Sequence, residues 1–464
     1  MTDTPIHLRY DSGTVVVTGG PPGSVPTDLP GVLFDPRTNT HRAQGRYYRG
    51  IVEHLVRGKV PYRDEARGWP NADAGWTLKT GRQPFPHQQE AVETWLAAGR
   101  RGVVVLPTGT GKTFVAVLAI ARVGRPTLVV TPTLDLMRQW QGQLEEYFDT
   151  AVGAVWGGGF DLQPITITTY DSAYIKLEQW ADRFGLIVFD ECHHLPGPSS
   201  SLTAIGALAP FRLGLTATPE RPDGQDALYP ELIGPIVYRK EIKELSGDYL
   251  AEYRAERVYV ELTDEEMAAY RANRERFQQY RSQLAARGLL MSGPNGWRKF
   301  IFEASRTPEG MQALRAFYEQ KRIERSAEGK FQALEAILRR HAGERAIIFT
   351  ADNATVYQIA RRYLVPPITH QTKVKERKQI LARFHSGEYT VVVTSQVLNE
   401  GVDVPAASVG VVLSGTGSTR ENVQRLGRIL RKYEGKQATL YEVIAKGTAE
   451  EFVSDRRRQH GAFQ

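Results

Sequence analysis

Residues Val103-Val104-Val105-Leu106-Pro107-Thr108-Gly109-Thr110-Gly111-Lys112-Thr113 constrain this chain more than any other segment. A β-branched apolar run is followed by a Gly-rich turn, and Lys and Thr then open a helical stretch. This order suits a nucleotide triphosphate. The strand holds the loop, and the glycines let backbone N–H groups converge on phosphate oxygens. The helix N-terminus adds partial positive charge. Thr108, Gly109, Thr110 and Gly111 form the expected cradle for ATP. Lys112 is expected to neutralise the phosphates, and the Thr113 hydroxyl to ligate Mg²⁺. The strict loop pattern has Gly where Leu106 stands.

The rhythm around this loop sets the fold class. Apolar strands are predicted over 102–106, 127–131, 165–169, 185–189 and 212–215, separated by helices over 87–98, 113–123 and 136–148. Continuous apolar strands alternating with helices imply a parallel sheet covered on both faces. The rhythm returns with strands over 345–350, 390–394, 408–413 and 439–443 and helices over 330–341, 354–363, 374–384 and 421–428. The fold class is therefore α/β, with two similar parallel-sheet domains. Ahead of them, short strands over 6–10, 14–18 and 32–34 and a helix over 44–57 read as a small α+β domain. The expected division is 1–70, 71–240 and 241–464.

Residues 263–329 interrupt the second repeat. Thr263 and Glu266 make a capping-box signature, Gly288 offers a stop, and Pro308 opens a second helix to about Ser326. A helical hairpin is expected. Residues 270–330 carry 13 Lys and Arg against 6 Asp and Glu, which favours contact with a polyanion over a merely solvated face. The net charge of +7 points the same way. The 44 arginines against 15 lysines suit phosphate contacts, although a GC-rich genome produces the same bias. No apolar run approaches the roughly 20 residues that span a bilayer, and the first residues lack a leader pattern, so a cytoplasmic protein is expected. The single cysteine, Cys192, excludes an internal disulfide and Cys-based zinc binding.

Further chemistry gathers at predicted strand ends. Asp190 and Glu191 follow Leu186–Phe189, about 80 residues after the loop. Asp190 is placed to hold Mg²⁺, and Glu191 to deprotonate the attacking water. Thr216-Ala217-Thr218 follows another strand. Thr131, Thr169, Thr350 and Thr394 sit at strand ends as candidate contacts to a nucleic-acid backbone. Arg425, Arg428 and Arg431 recur at i, i+3 and i+6 on one stretch, so they share a helical face.

As a set, P-T-G-T-G-K-T, D-E-C-H, T-A-T and Gln424-Arg-Leu-Gly-Arg-Ile-Leu-Arg431 resemble the motifs of superfamily 2 helicases. Thr131-Pro-Thr-Leu-Asp-Leu-Met-Arg-Gln-Trp140, Glu400-Gly-Val-Asp-Val-Pro405 and Ser414-Gly-Thr-Gly-Ser-Thr-Arg-Glu421 resemble the XPB family, in its short archaeal and bacterial form. The resemblance covers roughly 80–464. It implies two RecA-like domains, a damage-recognition-type N-terminal domain, and a helical thumb at the insert. It implies an ATP-dependent, 3′→5′ DNA translocase or helicase, prokaryotic, acting on duplex, fork or bubble DNA in excision repair or transcription-linked opening.

The residue roles it implies are specific. Gln88 would read adenine, and Gly401 and Asp403 would belong to the ATP-responsive motif. Thr216, Ala217, Thr218, Gln424 and Arg425 would couple hydrolysis to DNA grip. Arg428 and Arg431 would act as arginine fingers across a cleft between the two RecA-like domains, and Arg221 would touch DNA. The implied partner is a structure-specific nuclease, with the chain a monomer or half of a heterodimer. Three positions depart from the family pattern: Phe85 replaces an Arg, Asn399 an acid, and Pro222 the Glu of a strand-separating Arg-Glu-Asp element. Another superfamily 2 motor (a restriction-subunit translocase or an RNA helicase) and a non-catalytic P-loop DNA-binding adaptor stand as alternatives.

Overall fold

Runs of valine, isoleucine and threonine bounded by Gly and Pro build the sheets of this protein, seen in a computed structural model that describes residues 5–19, 28–70, 75–176, 179–221, 223–289, 296–395, 407–415, 425, 427 and 437–457. The chain divides into two compact units, Met1–Lys240 and Glu241–Gln464.

In the first unit, a five-stranded sheet runs in the order Leu33–Asp35, Thr40–Gln44, Thr14–Gly19, Ile6–Asp11 and Tyr62–Glu65. All neighbours are antiparallel except the last pair. The helix predicted over 44–57 is a 3₁₀ turn, Gly45–Tyr47, followed by the helix Tyr48–Arg57. Ile51 and Leu55 of that helix pack on Leu8, Val15 and Val17 of the sheet and on Leu208 of the adjoining α/β layer. Arg49 donates to the carbonyl of Gly99 at 2.6 Å, so the small domain is docked by polar as well as apolar contacts.

The α/β layer is an eight-stranded sheet ordered Ile236–Arg239, Arg101–Val105, Phe211–Thr216, Leu186–Asp190, Thr127–Thr131, Ile165–Thr169, Val152–Trp156 and Gly159–Phe160. Every pair is parallel but the last. Three strands were not anticipated from sequence, Ile236–Arg239, Val152–Trp156 and Gly159–Phe160. They lie at or next to the sheet's edges, where one neighbour suffices and the apolar run is short or interrupted. The central strands are buried along their length. Their C-terminal ends all open on one edge, where open α/β sheets hold ligands.

The second unit carries a six-stranded parallel sheet ordered Glu252–Val260, Gln437–Ala445, Val409–Val412, Ala346–Phe349, Val391–Thr394 and Pro367–Ile368. Its first strand, Glu252–Val260, alternates charged and apolar residues as an edge strand does, and pairs with Gln437–Ala445 over nine residues. The helical insert follows it directly.

Three helices form the insert, one more than predicted: Asp264–Ala286, Gly296–Ala304 and Pro308–Ser326. The capping box is present, with Glu266 N donating to Thr263 Oγ1 at 3.2 Å and Thr263 N to Glu266 Oε2 at 3.0 Å. Phe277, Tyr280, Phe300 and Leu314 close the tip of the hairpin. Leu262, Tyr270, Ile323 and Ala327 join its base to Ala445 of the sheet.

Candidate nucleotide-hydrolysis site

The P-loop is shaped from below. Its strand ends at Val105, and the helix Lys112–Val123 begins after Gly111, which holds φ +83° and ψ +41°. Gly109 is at φ +90°. Both are left-handed positions that glycine occupies without penalty. Thr110 Oγ1 donates to the carbonyl of Pro107 at 2.8 Å and pins the turn. Thr108 Oγ1 is buried and has no hydrogen-bond partner within the described protein. Lys112 Nζ reaches back to the carbonyl of Leu106 at 3.3 Å, a long bond that a phosphate oxygen would readily replace. Leu106 is itself buried, and its N–H donates to the carbonyl of Thr216, so the P-loop strand end is tied to the neighbouring motif.

Gln88 lies beneath this loop, fully buried. Its Nε2 donates to the carbonyl of Thr110 at 2.9 Å, and its Oε1 accepts from Phe85 N at 3.0 Å. Both ends of the amide are engaged by protein, so reading adenine would require it to exchange these partners. Its observed contacts set the loop instead.

Asp190 ends the strand Leu186–Asp190 next to that loop. Its Oδ1 accepts from the N–H of Glu191 at 3.0 Å and its Oδ2 from the indole of Trp140 at 2.7 Å. Burial, and then the charge of Glu191, push its carboxyl up to about 6, against the pull of the Trp140 hydrogen bond and the Lys112 charge. A buried carboxylate with a lysine opposite and its remaining lone pairs free is a donor set suited to a divalent cation, and Thr113 begins the helix alongside. The residues present therefore fit Mg²⁺. Glu191 follows at φ +45°, ψ +53°, a strained setting for a residue with a side chain. Its Oε2 lies 3.4 Å from Nδ1 of His193 and has no hydrogen bond within the described protein.

Around this pair the Thr216–Thr218 segment is wired in. Thr216 Oγ1 sits 3.1 Å from His193 Nδ1 and accepts from the N–H of Thr218 at 3.2 Å. Thr216, Ala217 and Thr218 are all buried, and Thr218 Oγ1 has no partner within the described protein. Arg221, expected to touch DNA, instead grips Asp223 through Nε and Nη2 at 2.9 and 2.6 Å and donates to the carbonyl of His193. The pairing holds the Asp223 carboxyl down at about 2. Arg221 thus ties the segment after Thr218 to the turn that follows Glu191.

The threonines expected to contact a nucleic-acid backbone also need correction. Thr131, Thr169, Thr350 and Thr394 are buried. Their hydroxyls bond within the protein, Thr131 to the carbonyl of Thr168, Thr169 to Ser172, Thr350 to the carbonyl of Asp352 and Thr394 to that of Ser395. A hydroxyl turned inward cannot meet a solvent phosphate, so these residues shape the strand ends.

In the second unit, Arg425 is buried with its guanidinium 5.4 Å from the Phe349 ring centre. Gly401, Asp403, Gln424, Arg428, Arg431 and Pro222 lie outside the described residues. Sequence reasoning assigned no role to Trp140 and His193, although both stand inside motif segments it quoted, and missed Tyr170, whose hydroxyl donates to the carbonyl of Asp190 at 2.9 Å. A polar-tipped aromatic or imidazole in or near a motif is the one available signal, and many cores also show it.

Comparison with known proteins agrees with this geometry. Residues 8–66 match the Xeroderma pigmentosum group B helicase damage recognition domain. Residues 82–221 match the type III restriction enzyme res subunit, and 329–433 the helicase conserved C-terminal domain. The chain is 43% identical over 457 residues to the DNA 3′-5′ translocase XPB2 of Sulfurisphaera tokodaii, covering 98% of this chain and all of that one. It is 31% identical to the DNA 3′-5′ helicase XPB of Mycobacterium tuberculosis, covering 88% of this chain and 71% of the relative. The crystal structure of the Pyrococcus furiosus Hef helicase domain superimposes with a TM-score of 0.53 at 22% identity, over 80% of this chain and 98% of that one, which shows the RecA-like helicase fold. With a full-length relative at that identity and the damage-recognition model matched at its N-terminus, the chain belongs to the XPB family of helicases.

Proposed function

We propose that this protein is an ATP-dependent DNA translocase and helicase of 3′→5′ polarity, opening duplex, forked or bubble DNA in nucleotide excision repair or transcription-linked repair. One observation carries the reading. Lys112, Asp190 and Glu191 converge on the C-terminal edge of one parallel sheet, beside buried oxygens of Thr108 and Glu191 that have no hydrogen bond within the described protein.

ATP is the substrate. The N–H groups of 108–113 and Nζ of Lys112 bind its phosphates, Lys112 leaving the carbonyl of Leu106. Thr113 and Asp190 would hold Mg²⁺, which when bound neutralises phosphate charge. Glu191 orients water and takes its proton as oxygen attacks the γ-phosphorus and the bond to the β-phosphate oxygen breaks. Arg428 and Arg431 are proposed as arginine fingers, a role worth roughly 10³–10⁵ in rate in related chemistry. Thr216–Thr218, Arg221, Gly401, Asp403, Gln424 and Arg425 are proposed to relay the nucleotide state. The exposed arginines of the insert and the N-terminal domain are proposed to grip DNA. We further propose a structure-specific nuclease as partner in a heterodimer, and a cytoplasmic site of action. Among the described residues no helix is long and apolar enough to cross a membrane.

The test is ATPase activity without nucleic acid and with duplex DNA, forked DNA or RNA. Stimulation by DNA and not by RNA is expected. Stimulation by RNA would favour an RNA motor, and no hydrolysis under any condition would favour an adaptor.

A further inference from the structure

Trp140 sits on the helix Leu134–Tyr147, which leaves the strand end at Thr131 and is capped by Thr133 Oγ1 accepting from Leu136 N at 3.2 Å. The indole is almost wholly buried. A buried indole N–H usually takes an acceptor, although those of Trp69 and Trp180 have none within the described protein. Trp95 is the example within this same sheet layer, donating to the carbonyl of Arg212 at 3.0 Å. Trp140 donates instead to Oδ2 of Asp190 at 2.7 Å, a short bond of the charge-assisted kind.

We infer that Trp140 is a positioning residue for the cation-holding carboxylate. The two oxygens of Asp190 each accept one protein hydrogen bond, Oδ1 from Glu191 N at 3.0 Å and Oδ2 from Trp140. Two donors from different elements fix the torsion of the carboxyl plane, and the remaining lone pairs then point where a cation is to sit. The chemistry of the donor suits this task. An indole N–H donates only, and it carries no charge. An arginine or lysine there would neutralise the carboxylate and compete with the cation, whereas the indole orients it and leaves its charge intact. The same helix also touches the P-loop helix, the rings of Tyr147 and Phe114 lying 5.4 Å apart. One rigid element therefore registers the cation carboxylate against the phosphate loop. This proposal rests on the reading of Asp190 as a Mg²⁺-holding residue.

The experiment measures Mn²⁺ affinity by electron paramagnetic resonance on the full chain with a non-hydrolysable ATP analogue, beside analogue affinity in chelator. Trp140→Phe removes the donor and keeps a buried ring. It should weaken Mn²⁺ binding about tenfold, the worth of a hydrogen bond to a charged group, and leave metal-free analogue affinity within about twofold. Trp95→Phe, which removes an equally buried indole donor from a carbonyl, should lower thermal stability and leave Mn²⁺ affinity unchanged. Trp140→His retains a ring N–H, should recover part of the lost affinity, and serves as the readout if the Phe variant does not fold. Unchanged Mn²⁺ affinity in Trp140→Phe while Asp190→Asn abolishes it would overturn the positioning role alone. Unchanged affinity in Asp190→Asn would overturn the reading beneath it. Equal losses of Mn²⁺ and metal-free analogue binding in Trp140→Phe would make Trp140 a structural residue only.

Discussion

Replacing Gly111 by alanine tests whether the phosphate loop is held in its binding shape by the glutamine below it. Gly111 lies at φ +83°, ψ +41°, where a residue with a Cβ costs about 1–2 kcal/mol. The new Cβ would overlap Nε2 of Gln88, well inside van der Waals contact. Gln88 is fully buried and anchored at both ends, to Thr110 O at 2.9 Å and Phe85 N at 3.0 Å. It cannot turn aside without breaking one of these bonds, and a buried polar group left unsatisfied costs about 1–3 kcal/mol. The sum is about 2–5 kcal/mol, concentrated in the loop. Affinity for a fluorescent non-hydrolysable ATP analogue should fall about 30- to 5000-fold. Gln88→Ala removes the atom that the Cβ strikes. The double variant should therefore lose less than the two single losses combined, by about 1–2 kcal/mol. Binding by Gly111→Ala within threefold of the parent, or strict additivity with Gln88→Ala, would refute the reasoning.

Four further outcomes are expected. Glu191→Gln should keep analogue binding and lose about 10²–10⁴ in turnover, checked by steady-state hydrolysis. Asp190, whose carboxyl is pushed from its ordinary 3.8 up to about 6, contributes stability that is fully present below pH ~4 and lost as pH rises through ~6. The metal-free parent should thus lose roughly 2–3 kcal/mol of stability in urea between pH 4 and pH 8 through this group, and Asp190→Asn, which cannot titrate but whose amide NH2 would face one of the two N–H donors, should lack that pH dependence. Changing the exposed Arg298, Lys299, Arg306 and Arg315 of the insert to Gln should flatten the log–log salt dependence of duplex binding by about 0.9 for each phosphate no longer neutralised, with basal ATPase unchanged. Finally, Pro222 stands where the family resemblance has the Glu of a strand-separating Arg-Glu-Asp element, so a carboxylate and a backbone donor are missing at that position. Glu220, the one nearby substitute, is engaged with Arg239 at 2.7 Å. The isolated protein should displace a triplex strand well and unwind a fork poorly, and Pro222→Glu should improve fork unwinding. Efficient unwinding by the unaltered chain alone would count against this.

The central strands were legible because burial on both faces demands an unbroken apolar run. Thr127–Thr131 and Ile165–Thr169 fall where the pattern placed them. Glu252–Val260 was not legible, since a strand of alternating Glu, Arg and Tyr resembles an exposed helix face or loop until its partner at Gln437–Ala445 is known. The helix starting at Pro308 was legible from the proline, whose fixed φ suits the first helical position, and the structure adds a cap the reading did not name, the Thr307 hydroxyl accepting from Gly310 N at 3.0 Å. Local bonds of this kind leave a sequence signature. The grip of Arg221 on the carbonyl of His193 spans 28 residues and leaves none.

The same limit runs through the site itself. Thr108 and Thr110 are two residues apart in one loop and indistinguishable by motif. Thr110 Oγ1 is bonded to Pro107 O and holds the turn, while Thr108 Oγ1 is buried without a partner. Thr216 and Thr218 divide in the same way, the first bonded to His193 and the second orphaned. Leaving a hydroxyl or carboxylate oxygen buried and unsatisfied costs about 1–3 kcal/mol. Such atoms also occur far from the loop, at Thr203, Gln320 and Ser454 among others, so position decides which of them a ligand could satisfy. Thr108, Thr218 and Glu191 all lie in segments that border the P-loop edge of the sheet. A motif names the atoms that chemistry requires. Only the hydrogen-bond partners separate those that build the loop from those left open to phosphate, cation or water.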